Sequence, residues 1–258
     1  MNRLKSQIIK GLEQSLRFDG RKPFDWRKIE VEYGISKNAE GSARVKFGDT
    51  EVFAGIKMSI GKPYPDRPEE GALMVDAELS PMSSPEFETG PPDIKAIELA
   101  RVVDRGIREA KTIDMKKLCL EKGEKAWMIS IDVVTINDAG NLLDASSLAA
   151  LAALKNTKIP RLEGNEVKYG ELTDEALPLT KEPIAVTVLK IGNHFIVDPL
   201  VEEEEAFEAK LTVTTTDGII CAMQKGGDGV LTVGDIEKMI DIGMKKAEEI
   251  RKHLKGSK

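Results

Sequence analysis

Two cysteines and two histidines in 258 residues leave little from which to build a disulfide scaffold or a zinc site. Cys119 and Cys221 lack the paired spacing of metal ligands, so they read as reduced, buried thiols of an intracellular protein. His194 and His253 stand alone and are assigned no chemistry. Aromatic residues make up only 5% of the chain, which disfavours a platform of stacked rings for single-stranded nucleic acid. No apolar run has membrane-spanning length and no secretory core is visible, which points to a cytoplasmic protein without a membrane partner. Positive charge is in deficit, with 38 Lys and Arg against 44 Asp and Glu for a net −6. Nonspecific nucleic-acid affinity comes mainly from neutralised phosphates, so this balance disfavours an autonomous binder. Any such contact has to be local, with the rest of the site supplied by a partner chain.

What is present is ordinary globular material, 41% hydrophobic, enough for one large domain or two smaller halves. From Asn2 to Arg17, Leu4, Ile8, Leu12 and Leu16 recur at four-residue spacing, an amphipathic helix that needs a surface to pack on. "KIEVEYGI", "SARVKFG", "TEVFAGIKMSI" and "GALMVDAEL" then read as strands, with a hairpin turn at Gly48 and Asp49. A helix follows from Ile94 to Lys111 behind the N-cap candidate Asp93, then the long strand "KAWMISIDVVTI". The next helix, in "NDAGNLLDASSLAALAALKN", is rich enough in Ala and Leu to be buried nearly all round. A connector from Thr157 to Pro183 holds a small hairpin at "EGNEVKYG". Strands restart at "IAVTVLKI", "HFIVD", "KLTVTTT" and "GIICAMQ", and a closing helix begins at the capping box of Thr232 and Asp235. The reading is an α+β chain in two successive halves of mixed β-sheet packed with α-helices, 1–183 with the leading helix and 184–258.

Three motifs invite chemistry. Arg101, Arg105 and Arg108 fall on one helix face, either as a phosphate-binding stripe or as surface ion pairs with Glu98, Glu109 and Asp104. Taken alone, the spacing favours the ion pairs. "QKGGDG" from Gln224 to Gly229 lacks the spacing of a phosphate loop and reads as a chain reversal. In "VDPLVEEEEAFEAKLTV", Asp198 and Glu202 to Glu205 offer hard oxygen ligands of the kind Mg²⁺ takes, yet the run ends in Lys210, which repels a metal. Base rates make it a solvated acidic turn leading into a strand.

The segments "FDGRKPFDWRKIEVE", "AEGSARVKFGDTEVFAGIK", "PYPDRPEEGALMVDAEL", "GPPDIKAIELARVVDRGIRE" and "GNLLDASSLAALAALKNTKIP" together resemble the RNase PH family, within it the non-catalytic RNase-PH-like subunits of archaeal exosomes. The resemblance runs from Phe18 to the final helix. It implies the RNase PH-like fold, which is that of ribosomal protein S5 domain 2, in two related halves. It also implies that phosphorolytic members carry an Asp near the position of Glu204, a second near Lys210, and a phosphate loop whose hydroxyl and Arg stand at Asn141 and Leu142. By that implication metal and phosphate binding are both lost here, no catalytic residue, metal or cofactor is expected, and Arg101 and Arg105, with Arg108 as a weaker addition, face RNA. The implied partners are a catalytic RNase-PH-like exosome subunit, alternating with this chain in a hetero-hexameric ring, RNA itself, and RNA-binding cap proteins. Two rival readings remain beside it: an active phosphorolytic 3′-to-5′ exoribonuclease and a stand-alone RNA-binding protein.

Overall fold

The computed structural model describes residues 3–164 and 166–255. The chain runs α1 (Arg3–Glu13), β1 (Ile29–Tyr33), β2 (Gly41–Phe47), β3 (Thr50–Gly61), β4 (Ala72–Glu78), α2 (Ile94–Glu109), β5 (Cys119–Glu121), β6 (Lys125–Asn137) and α3 (Leu142–Asn156). A hairpin of β7 (Lys158–Glu163) and β8 (Glu166–Ala176) follows. Then come β9 (Ile184–Ile191), β10 (His194–Val197), α4 (Val201–Glu204), β11 (Ala209–Thr216), β12 (Ile219–Gly226) and α5 (Val233–Arg251).

The first sheet is ordered β1-β2-β3-β6-β4, with β5 on β6, and all its pairs are antiparallel except β4 with β6. The second is antiparallel in the order β10-β9-β11-β12. Between them lies α3, which packs on β2 and β3 on one side and on β9 and α2 on another. Its residues from Ala145 to Leu154 are buried, apart from Ser147, as the Ala and Leu composition requires. Small Ala side chains let two sheets approach one helix, and the Leu side chains fill the space left between them. The result is one apolar core in which Ile56, Ile129 and Ile131 of the first sheet join Val186, Val188 and Val213 of the second through α3.

Several local expectations change in the folded chain. The leading helix ends at Glu13 because Ser15 adopts a left-handed φ of 57° and the Leu16 N–H turns back to the Gly11 carbonyl. Leu16 is therefore exposed, while Ile8 and Leu12 pack on Leu189, Ile191 and Ile196 of the second sheet. Asn2, the first residue of the expected helix, lies outside the described residues. The hairpin at "EGNEVKYG" extends to the whole of β7 and β8. Cys119 and Cys221 are half-buried and free, each beside a backbone carbonyl, and not the fully packed thiols expected. Among the described residues, no helix is long and apolar enough to cross a membrane.

One contact shows how close the layers lie. At Gly41 on β2 a Cβ would fall 2.1 Å from Thr157 Oγ1 and 2.5 Å from the Ala153 carbonyl oxygen at the end of α3. Backbone cannot retreat as a flexible side chain can, so Gly41→Ala is expected to cost about 1–3 kcal/mol. A urea titration should show a lower midpoint with an unchanged slope. A parental midpoint would mean that β2 and α3 separate freely.

Candidate functional site

The helix α2 starts where Asp93 accepts a 2.8 Å hydrogen bond from the Ala96 N–H, and it stops where Lys111 turns left-handed with a φ of 55°. It ends at Glu109, two residues short of the expected Lys111. Ala96, Leu99, Val102, Val103, Gly106 and Ile107 are buried against β4, α3 and β12. That burial fixes the opposite face, where Arg101 and Arg105 are exposed. Both line an open cavity of about 340 Å³ together with Ile94, Ile97, Glu98, Val102 and Gln224.

Of the three ion pairs that spacing offered on this helix, only one forms. Arg108 donates to both Asp104 oxygens, at 3.0 and 2.6 Å, and to the Leu73 carbonyl at 3.1 Å, which sets it apart from the cavity. Hydrogen bonding to Asp104 holds its guanidinium above its ordinary range. Glu98 pairs with Lys210 at 3.4 Å instead of with Arg101. Arg101 and Arg105 have neither a hydrogen bond nor an ion pair among the described residues.

The acidic run is not the solvated turn that base rates favoured. Val201–Glu204 form the short helix α4, in which Glu203 is buried and accepts from Arg17 Nε at 2.9 Å. Arg17 also donates to the carbonyls of Val197 and Asp198, at 2.9 and 2.7 Å. Asp198, fully buried with a left-handed φ of 48°, accepts from Arg21 at 2.7 Å, from Arg27 at 2.7 Å and from Asn141 Nδ2 at 3.0 Å. Burial alone would raise the Asp198 carboxyl, but the hydrogen bonds and charge of Arg27 outweigh it and hold the group below the usual range. Sequence reading missed Arg17, Arg21 and Arg27 because their partners lie 171 to 186 residues away. The available signal was an imbalance, four adjacent glutamates with no cation beside them in sequence.

The loop before α3 is closed from within. Arg27 donates to the Ala139 and Gly140 carbonyls, at 2.7 and 3.0 Å. Gly140 needs its φ of 90° and its lack of a side chain, since a Cβ would meet the Pro199 carbonyl oxygen at 2.4 Å. Asn141 is left-handed, and its N–H donates to Glu204 Oε1 at 2.9 Å. Leu142 opens α3 and packs half-buried on the core. The Glu204 carboxyl is pushed up to about 7 by burial, against the Asn141 N–H and the Lys210 charge, which pull it down. These positions do not fit a divalent cation: where the resemblance puts a second Asp, Lys210 presents an ammonium, which repels a metal.

A mixed sheet and an antiparallel sheet closed on a shared buried helix, with two exposed arginines on a cavity beside the second sheet, have the architecture of RNase PH-like proteins. Residues 25–160 match the 3′ exoribonuclease family, domain 1, and residues 181–246 match its domain 2, so the chain belongs to the RNase PH family. Among its relatives, exosome complex component Rrp42 of Methanocella arvoryzae is 49% identical over 244 residues, covering 94% of this chain and 92% of that protein. The structure of the Archaeoglobus fulgidus exosome with RNA bound to the active site contains a chain with a TM-score of 0.90 and 44% identity, over 96% of both chains. A chain of an archaeal exosome core matches with a TM-score of 0.87 and 41% identity, over 98% of this chain and 96% of that one.

The interior of the loop predicts a pH response. Asp144 is buried on α3, accepts from Thr187 Oγ1 at 2.7 Å, and is pushed up to about 7 by burial. Its Oδ2 and the Asn141 Oδ1 each lack a hydrogen-bond partner among the described residues. A carboxyl raised in the folded state contributes stability that is full below its unfolded value, about 4, and is lost as pH rises through about 7. Asp144→Asn mimics the protonated form, so its chemical unfolding should show a weaker loss of stability between about pH 5 and pH 8. A pH profile identical to the parental one would place the charge on Asp144 throughout.

Proposed function

We propose that this chain is the non-catalytic RNase-PH-like subunit of an archaeal exosome, divided at Pro183 into 1–183 and 184–258. It is a cytoplasmic protein that alternates with a catalytic RNase-PH-like partner in a hetero-hexameric ring, a trimer of heterodimers that also receives RNA-binding cap proteins. Its own role is to support the partner's active site and complete the RNA path in 3′-to-5′ degradation. The observation that carries the reading is that Arg101 and Arg105, on one solvent-open cavity, have no partner among the described residues. An unpaired guanidinium keeps all its donors for phosphate oxygens, whereas Arg108, spent on Asp104, has less to offer. The net charge of −6 fits a subunit that adds a small cationic patch to a path built mostly by others. Exposed Ile219 and Met223 on the edge strand β12 provide apolar surface of the kind an obligate assembly buries.

Magnitudes favour silence at the phosphorolytic positions. A misplaced unit charge at about 4 Å is worth roughly 4 kcal/mol at an effective dielectric of 20, or about a thousandfold in rate. Lys210 imposes that cost before the lost ligand is counted, and Asn141 and Leu142 supply no guanidinium for phosphate. The purified chain, shown to be free of partner, is therefore expected to release no nucleoside diphosphates from RNA with phosphate and Mg²⁺. Lys210→Asp alone should not change that, and robust release by either protein would favour the active-enzyme reading. The chain is further expected to form a stable complex with a catalytic RNase-PH-like subunit in light scattering. A monomer that ignores the partner at micromolar concentration would contradict the ring.

Replacing Arg101 and Arg105 together by Glu should leave assembly intact, because neither supports the buried face of α2. RNA binding and degradation by the assembled complex should fall, and the deficit should shrink as salt rises. Changing Arg108 should do less. Degradation at the parental rate in low salt would make the two arginines ordinary surface cations.

A further inference from the structure

We propose that Lys210 is a positioning residue for the RNA-contacting arginines: it holds the Glu98 carboxylate and so keeps Arg101 free for phosphate. The proposal rests on the reading of Arg101 and Arg105 given above. Glu98 and Arg101 are three residues apart on α2, a spacing at which helix side chains meet and opposite charges pair. In the fold that pair does not form. Glu98 Oε2 lies 3.4 Å from Lys210 Nζ, both side chains being partly buried, and Arg101 is left without a partner among the described residues.

The strand pairing makes room for this arrangement. Lys210 on β11 stands opposite Gly226 on β12, and a Cβ at Gly226 would fall 2.4 Å from Lys210 Cε and 2.9 Å from its Cγ. The missing side chain at 226 opens a lane for the lysine stem past β12, the strand on which α2 packs. At the end of that lane the ammonium meets Glu98, and its charge also reaches Glu204. Without Lys210, the Glu98 carboxylate would act against RNA twice. It would compete with phosphate for Arg101, and it would repel the incoming backbone across the same cavity. A residue that occupies a would-be metal-ligand position thus serves the nucleic-acid surface next to it.

The test uses the ring assembled with its catalytic partner and a labelled single-stranded RNA, titrated at low salt. Lys210→Met keeps an unbranched stem in the lane, removes the charge, and is expected to weaken binding about threefold, the scale of one helical ion pair together with a nearby like charge. Adding Glu98→Gln should return affinity to the parental level. Adding Glu237→Gln on α5, which restores the same net charge at a remote exposed site, should not. The proposal is overturned if Lys210→Met binds normally, if its loss persists with Glu98→Gln, or if Glu237→Gln rescues equally. Failure of the underlying reading has a separate signature, parental RNA binding by Arg101→Ala/Arg105→Ala. In that event unfolding of the chain alone still decides the positioning role. Thermodynamic coupling between Glu98→Gln and Arg101→Ala should be absent with Lys210 in place and appear in the Lys210→Met background, and no coupling there overturns the proposal.

Discussion

The buried carboxylate of Asp198 is the constraint on which the polar corner between α1, β10 and α3 depends. A carboxylate without water needs charge and donors on every side, and here they come from Arg21, Arg27 and Asn141. Those groups belong to the segment after α1 and to the loop before α3, while Asp198 itself follows β10. One ion therefore ties three distant stretches of chain together. Arg27 continues the tie to the carbonyls of Ala139 and Gly140, and Arg17 extends it through Glu203. The corner keeps a polar, closely bonded interior, and among the described residues no group of three or more His, Cys, Asp or Glu side chains is placed to hold a metal ion.

Asn141, Glu204 and Lys210 each have an internal partner. The Asn141 backbone gives its N–H to Glu204, the Asn141 side chain serves Asp198, and Lys210 serves Glu98. A buried polar group left without a partner costs about 1–3 kcal/mol, a cost avoided by the groups that make these internal bonds.

Much of the fold was legible in the sequence because local patterns encode it. Runs of Val, Ile and Phe between turn residues marked β2 and β3, the all-round apolar character of the Ala and Leu helix announced the centre of the core, and Asp93 and Thr232 marked helix starts that the fold uses. The site was legible only in part. Spacing put Arg101 and Arg105 on one face, but it could not tell whether Glu98 would turn to Arg101 or to Lys210, since that choice depends on a strand more than a hundred residues away. The same limit hid Arg17, Arg21 and Arg27. Their chemistry lies in pairs across the chain, and one-dimensional periodicity carries no trace of such pairs. The acidic run was misjudged for the same reason, because the burial of Glu203 is decided by Arg17.

The docking of α1 on the second sheet also bears on synthesis. Ile8 and Leu12 are covered by Leu189, Ile191 and Ile196, and Arg17 waits for a carboxylate 186 residues further on. At ordinary translation rates of roughly 5–20 residues per second, that partner emerges about 10–40 s later. During that interval the nascent chain displays an apolar helical stripe and an unpaired guanidinium, features that chaperones bind and that favour premature association. The helix α1 is thus made well before the surface that seats it, and it locks the chain only when the second sheet is complete.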